Sequence, residues 1–305
     1  MDKVNQLKIK ADMKASELID QFNKSGVLGS GRVARASNIL TDMIKDDGMN
    51  VFMSLGGPLI PGGLRNIVTD MIRKEYVNLI ISSGANITHD LLEAFGGSHY
   101  RDEGKDDEDL NAEGIGRIAD INVGSDDFTI FEGEIIKIFE DISARKSKIS
   151  IQELLYEVGL LIDDENSFLA TAARMKTPIF APGLIDSMFG LQLWMFTQDH
   201  DFTVDAVADM HYLSDLVFDS ERTGGILLGG GLTKHYTLAS TLLKGGLDSA
   251  IQITLDRPEA GSLSGAPLQE AKSWSKAKCE STLETVIGDV TIIFPLIYAA
   301  VLDKV

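Results

Sequence analysis

The chain has a single cysteine, Cys279, among 305 residues. One thiol cannot form an internal disulfide, which points to a reducing compartment and a cytoplasmic location. Histidines are also few: there are five, scattered without the spacing of a zinc site. No apolar run reaches the ~20 residues that a membrane-spanning helix needs. Met1 to Lys14 is charged throughout and lacks the apolar stretch of a secretory signal. Basic residues are in deficit, with 28 Lys plus Arg against 46 Asp plus Glu and a net charge of −18. A surface of that sign repels nucleic acid and anionic membranes and attracts cations. It fits a plain acidic soluble protein, and it also fits one whose substrate is a polyamine or a basic protein loop.

What is present is ordinary globular composition, 44% hydrophobic and 24% charged, in a chain long enough to bury a substantial core. Short β-rich runs alternate with longer helical periods. Strands are expected at Asn50–Ser54, Val77–Ser82, Pro178–Ala181, Gly225–Leu228, Ala250–Leu255 and Glu284–Ile287. Helices are expected at Leu64–Lys74, Thr129–Ser143, Ile151–Leu161 and Val204–Phe218. In the second of these, Phe131, Ile135, Ile136, Ile138 and Phe139 fall at helical spacing and form one buried face. The alternation predicts βαβ units, hence an α/β fold whose mainly parallel sheet carries helices on both faces. Residues 1–30 read as an appended helical arm and residues 31–305 as a single domain. Gly26–Gly31 reads as a turn, and the acidic stretch Arg101–Asp120 as a solvated surface excursion.

Ligands of open parallel sheets bind beyond the carboxyl ends of the strands. Three expected strands end in small-residue loops there: Gly56-Gly57-Pro58, Ser83-Gly84-Ala85-Asn86 and Gly229-Gly230-Gly231. Each can be a plain turn, or can let backbone N–H groups approach a pyrophosphate. None has the spacing of a dinucleotide fingerprint or a P-loop. Asp186 and Asp289 also lie near strand ends, where a carboxylate accepts ribose hydroxyls, although Asp289 is equally an N-cap for the apolar helix beginning at Val290.

The densest chemistry is in Gly261–Cys279, where a glycine/serine loop leads through a short helical stretch to Trp274-Ser275-Lys276. An amine is nucleophilic only when uncharged. Burial beside Trp274, or repulsion from Lys272 and Lys278, drives Lys276 in that direction. By composition alone it is a surface lysine.

The motifs supply a role. Ser262-Leu263-Ser264-Gly265-Ala266, Glu270-Ala271 and Ser273-Trp274-Ser275-Lys276 resemble the active-site segment of the deoxyhypusine synthase family. Leu228-Gly229-Gly230-Gly231 with Lys234-His235, the loop Ser83–Asn86 with His89-Asp90-Leu91, Gly114–Ile118 and Phe294-Pro295-Leu296 match in order and approximate spacing. The resemblance runs from about Gly26 to the C-terminus. It implies a Rossmann-like fold and a homotetramer that moves the aminobutyl group of spermidine to a lysine of the translation factor 5A precursor, with NAD as bound hydride carrier.

Carried over by position, the resemblance implies that Lys276 forms the imine and that Trp274 packs on the aminobutyl chain. His235 and Glu270 line the polyamine channel, His235 as a proton shuttle. Gly57, Pro58, Ser83, Gly84, Ala85, Asp186, Gly229, Gly231, Gly288 and Asp289 fall at cofactor positions. The chain departs from eukaryotic members at Leu191, Ala260 and Leu263, where those have acidic residues, and at His89, where they have a glutamate that His89 replaces as a proton handler. Ser275 stands in place of a usual glycine. The pattern is similar to the shorter prokaryotic branch. A homospermidine synthase-like enzyme using putrescine as acceptor is the alternative within the same chemistry; a non-catalytic NAD-binding protein and an ordinary dehydrogenase are the alternatives outside it.

Overall fold

The computed structural model describes residues 3–305; Met1 and Asp2, the first residues of the expected arm, lie outside them. The main sheet has six strands: β1 (Met49–Leu55), β2 (Leu79–Ser82), β3 (Ile179–Phe180), β4 (Arg222–Leu228), β5 (Leu247–Thr254) and β6 (Ala277–Ile287). All six expected strands are present. The chain groups into two compact units. One holds the residues up to Gly56 with Tyr76–Ile81 and Tyr212–Val305; the other holds Gly57–Glu75 and Ser82–His211.

In the first unit the strand order β6-β5-β4-β1-β2 is built on parallel pairings of β1 with β4, β4 with β5, and β5 with β6. The run Thr223–Leu228 is buried throughout, as a parallel strand covered on both faces must be. Alternation along β4 defines the two faces. A side chain at Gly224 would meet Met43 of the helix Leu28–Lys45. Leu227 points the other way, into a cluster with Leu238 of the helix Gly231–Thr241 and with Leu268 and Ala271 of the 3-10 helix Leu268–Trp274. The fold is therefore α/β with helices on both sides of a mostly parallel sheet.

The helix Ala15–Ser25 is tied down within this unit. Ile19 is fully buried, Ser16 N–H donates to Asp303, and Lys304 pairs with Asp20. Gly26–Gly31 is not a turn throughout. Gly26 caps the first helix at φ 71°, and the next helix already starts at Leu28, because a side chain at Gly31 would strike the Gly26 backbone and so only glycine lets the two segments meet.

The second unit carries the helix Gly84–Ala94 and the helix Ser125–Ser143, whose Phe131, Ile135, Phe139 and Ile142 are buried while Ile136 and Ile138 are half-buried. The expected helix from Val204 begins later, at Asp209. Val204 instead sits in the strand Thr203–Asp205, parallel to Lys148–Ser150. Arg101–Asp120 is mostly exposed, as expected of a surface excursion; within it Ile115–Ile118 pairs antiparallel with Ile121–Gly124, and Arg117 makes a two-pronged ion pair with Asp107.

Candidate active site

A cavity of about 490 Å³ lies in the first unit between the helix Gly231–Thr241 and the segment Pro258–Trp274. It brings together Lys276, His235, Trp274 and Glu270, and Leu263 lines it as well. Lys276 Nζ is 3.3 Å from His235 Nε2 and 5.7 Å from the centre of the Trp274 ring. Trp274 itself is 66% exposed, so its ring forms an open wall on which an alkyl chain can lie.

The local backbone explains why these side chains meet. The 3-10 helix Leu268–Trp274 ends on Ser275 in the left-handed conformation, φ 55°. That turn reverses the chain and delivers Lys276 immediately before β6, with its carbonyl accepting from Leu247 N–H. A left-handed position is one where glycine is the unstrained residue. The loop before it is equally constrained, since a side chain at Gly265 would lie 2.1 Å from the Arg257 carbonyl oxygen.

The neighbouring lysines do not crowd Lys276. Lys278 binds Asp248 at 2.6 Å, and Lys272 donates to the Cys279 and Ser281 carbonyls. The charge that acts at the site is the Lys276 ammonium on His235. Partial burial and then that charge hold the imidazole below its ordinary pKa. At neutral pH His235 is thus an uncharged ring whose Nε2 lone pair can accept from Nζ.

Lys234 is the residue that sequence reading missed. It is 1% exposed, and its ammonium donates to the carbonyls of Leu263 and Ala266 at 2.7 and 2.6 Å. Burial pushes its pKa down to about 8, against the opposing pull of Glu270 and Asp256. The signal was available: Lys234, Leu238 and Thr241 recur at helical spacing on one face, and that face is buried.

The cofactor candidates fall in both units. In the first, Gly229 has φ 80°, and a side chain there would meet the Gly56 carbonyl oxygen at 2.5 Å, so close packing of two strand-end loops already demands glycine. Gly231 opens the helix Gly231–Thr241, and Gly288 N–H donates to the Thr254 carbonyl. Asp289 caps the helix Val290–Leu302, accepting from Thr291 N–H at 2.8 Å. In the second, Ser83 caps the helix Gly84–Ala94, with Ala85 in its first turn. Asn86 ties the two loops together: it donates to the Gly57 carbonyl beside Pro58 and accepts from Ile60 N–H. A side chain at Gly84 would strike Ser187 and the Leu184 carbonyl, which brackets Asp186 against this helix start. Both helix starts present free N–H groups of the kind that hold a pyrophosphate, and at Gly57 and Gly231 a side chain would find nothing closer than 3.9 Å. Within each unit taken by itself, these loops suit a phosphate group.

His89 belongs to the second unit and is 7% exposed. Its Nδ1 is 2.8 Å from His99 Nε2, and His99 Nδ1 is 2.7 Å from Glu93. Leu191 lies on the helix Met188–Asp199, and Ala260 ends a 3-10 turn outside the cavity lining. Among the described residues no cluster of His, Cys, Asp and Glu could hold a metal, and no helix is long and apolar enough to cross a membrane.

Comparison with known proteins shows the family. A family profile described as deoxyhypusine synthase matches residues 17–301. A relative from Methanothermobacter thermautotrophicus, described as a probable deoxyhypusine synthase, is 58% identical over 301 residues, covering 99% of this chain and 98% of the relative. A second, from Methanopyrus kandleri and described in the same words, is 41% identical over 295 residues, covering 97% and 96%. Among solved structures, a deoxyhypusine synthase candidate from Entamoeba histolytica superposes with a TM-score of 0.69 at 18% identity, covering 96% of this chain and 94% of that one. That last likeness supports the fold.

Proposed function

The chain belongs to the deoxyhypusine synthase family, and from that premise we propose that it transfers the aminobutyl group of spermidine to a lysine of the translation factor 5A precursor through an imine on Lys276. The observation that carries the reading is the Lys276–His235–Trp274 arrangement in a cavity that also holds Glu270. His235 takes the proton that makes Lys276 Nζ a free amine. Nζ then attacks the imine carbon of the oxidised polyamine, the bond to the departing diamine breaks, and diaminopropane leaves with the proton. Trp274 offers its face to the methylene chain, and Glu270 pairs with a substrate ammonium.

NAD, when bound, supplies the hydride acceptor for the amine-bearing carbon. By the resemblance, Gly57, Pro58, Ser83, Gly84, Ala85, Gly229, Gly231 and Gly288 would hold its phosphates, with Asp186 and Asp289 on ribose hydroxyls. We assign residues 31–305 as the NAD-binding catalytic domain, a homotetramer as the working form and the cytoplasm as its place of action.

Borohydride trapping with spermidine and NAD tests the central step. A covalent adduct is expected on the wild type and none on Lys276→Ala; an adduct that survives the substitution removes Lys276 from the mechanism. Labelled spermidine offered with the protein acceptor or with putrescine then decides the acceptor, and label found only in homospermidine overturns the protein-lysine reading.

A further inference from the structure

Lys276 differs from the lysines beside it in having a base at hand and no anion holding it. Its Nζ lies 3.3 Å from His235 Nε2 and has no carboxylate or carbonyl partner among the described residues. Lys278 is paired with Asp248 at 2.6 Å, and Lys272 donates to the Cys279 and Ser281 carbonyls. Lys276 lines the cavity of about 490 Å³ together with the Trp274 ring and Glu270. The Glu270 carboxylate makes no hydrogen bond or ion pair among the described residues; the cation that feels it, Lys234, is committed to the Leu263 and Ala266 carbonyls. All of these groups belong to the first unit.

A lysine amine forms imines with carbonyl compounds as well as by exchange with another imine. An aldehyde carbon and the imine made from it stand at the same oxidation level, so loading from an aldehyde needs no hydride acceptor. Partial burial and the Lys276 charge keep the His235 ring uncharged near neutral pH, and its lone pair is ready for the Nζ proton.

We infer that Lys276 also takes its aminobutyl group directly from a free four-carbon ω-amino aldehyde, a loading activity that uses neither spermidine nor nicotinamide. The inference rests on the imine reading of Lys276 for the length of the carried group. The step balances: the Lys276 ammonium and the aldehyde give a protonated imine and water. A C–N bond forms, the C–O bond breaks, and the two protons lost by nitrogen leave on oxygen, carried across by His235. Where the amino aldehyde has closed on itself as a cyclic imine, Nζ adds to the C=N carbon and the ring C–N bond breaks. The ring nitrogen then departs as the tail amine, and no water forms. In both cases the tail ammonium faces Glu270 while the methylenes lie on Trp274. Loading takes up no hydride, so reducing a group carried this way consumes a reduced nicotinamide from outside. The reaction class that supplies such a substrate is the oxidation of one end of a diamine to an aldehyde.

The test uses the full-length protein with 4-aminobutanal and cyanoborohydride, without NAD or spermidine, and reads modification of each lysine by peptide mass mapping. Lys276 is expected to be labelled about tenfold or more faster than Lys272 and Lys278 in the same sample; equal rates overturn the inference, and this ratio needs no variant. His235→Gln is expected to bring the ratio down to within about threefold. Glu270→Gln is expected to lower it with 4-aminobutanal and to leave it unchanged with butanal, which has no ammonium. A preference that survives both substitutions, or an equal fall with butanal, overturns recognition by this cavity. Aldehyde labelling of Lys276 without any spermidine adduct in the presence of NAD defeats the spermidine reading and leaves the aldehyde activity standing. A spermidine adduct without aldehyde labelling does the reverse.

Discussion

Lys276 Nζ sits 3.3 Å from His235 Nε2, close enough that the charge of one sets the protonation of the other. The Lys276 ammonium adds to burial in holding the imidazole below its ordinary pKa. Lys276→Met removes that charge, so the His235 pKa should rise, whereas Lys276→Arg keeps the charge and should leave it low. Titration of the His235 ring signal by NMR measures both. A pKa unmoved in Lys276→Met contradicts the pairing.

Lys234 pins the loop that walls the cavity. Lys234→Met keeps the stem but leaves the Leu263 and Ala266 carbonyls without their donor. Two lost hydrogen bonds to a charged group should cost about 2–4 kcal/mol, offset in part by no longer burying an ammonium. Denaturant unfolding should show the loss. Hydrogen exchange should show faster amide exchange confined to residues 262–267.

Ser275 occupies a left-handed conformation at φ 55°. A non-glycine residue there costs roughly 1 kcal/mol, part of which glycine returns as unfolded-chain entropy. Ser275→Gly is expected to raise stability by a few tenths to about 1 kcal/mol, with imine trapping retained. A clear destabilisation in urea melts argues that the serine has a role beyond the turn.

His89 links folding to acidity. Its folded pKa of about 4 lies below the 6.5 of a free imidazole. Between those values the unfolded chain holds a proton that the folded chain refuses, so stability is highest above pH 6.5 and falls as pH drops towards 4. The full difference amounts to about 3 kcal/mol at most. Urea melts of wild type and His89→Gln at several pH values should converge in slope only above that window; parallel curves across it would contradict the buried neutral ring.

Much of this was legible along the chain. All six strands are visible as apolar runs, since a strand buried on both faces has to be apolar in sequence. Asp289 reads as an N-cap because capping is a relation between neighbours. Elements whose fate depends on remote packing were not legible. Val204 fits a helical period, yet it pairs with Ile149 in a short strand. Gly26–Gly31 looks like a turn, yet it contains the close approach that starts a helix.

The site divides in the same way. Looking beyond strand ends finds the glycine loops but not Lys276, which precedes β6 rather than following a strand. What the sequence by itself determined was the sheet, the glycine positions and the motif around Lys276, because periodicity and motif are local properties of the chain. Only the tertiary structure decided that His235 is the neighbour of Lys276 across 41 positions, that Lys234 is buried against two carbonyls, and that His89, His99 and Glu93 stand in line. Those relations depend on which surfaces face each other after folding, and burial, not residue type, sets the charge each group carries.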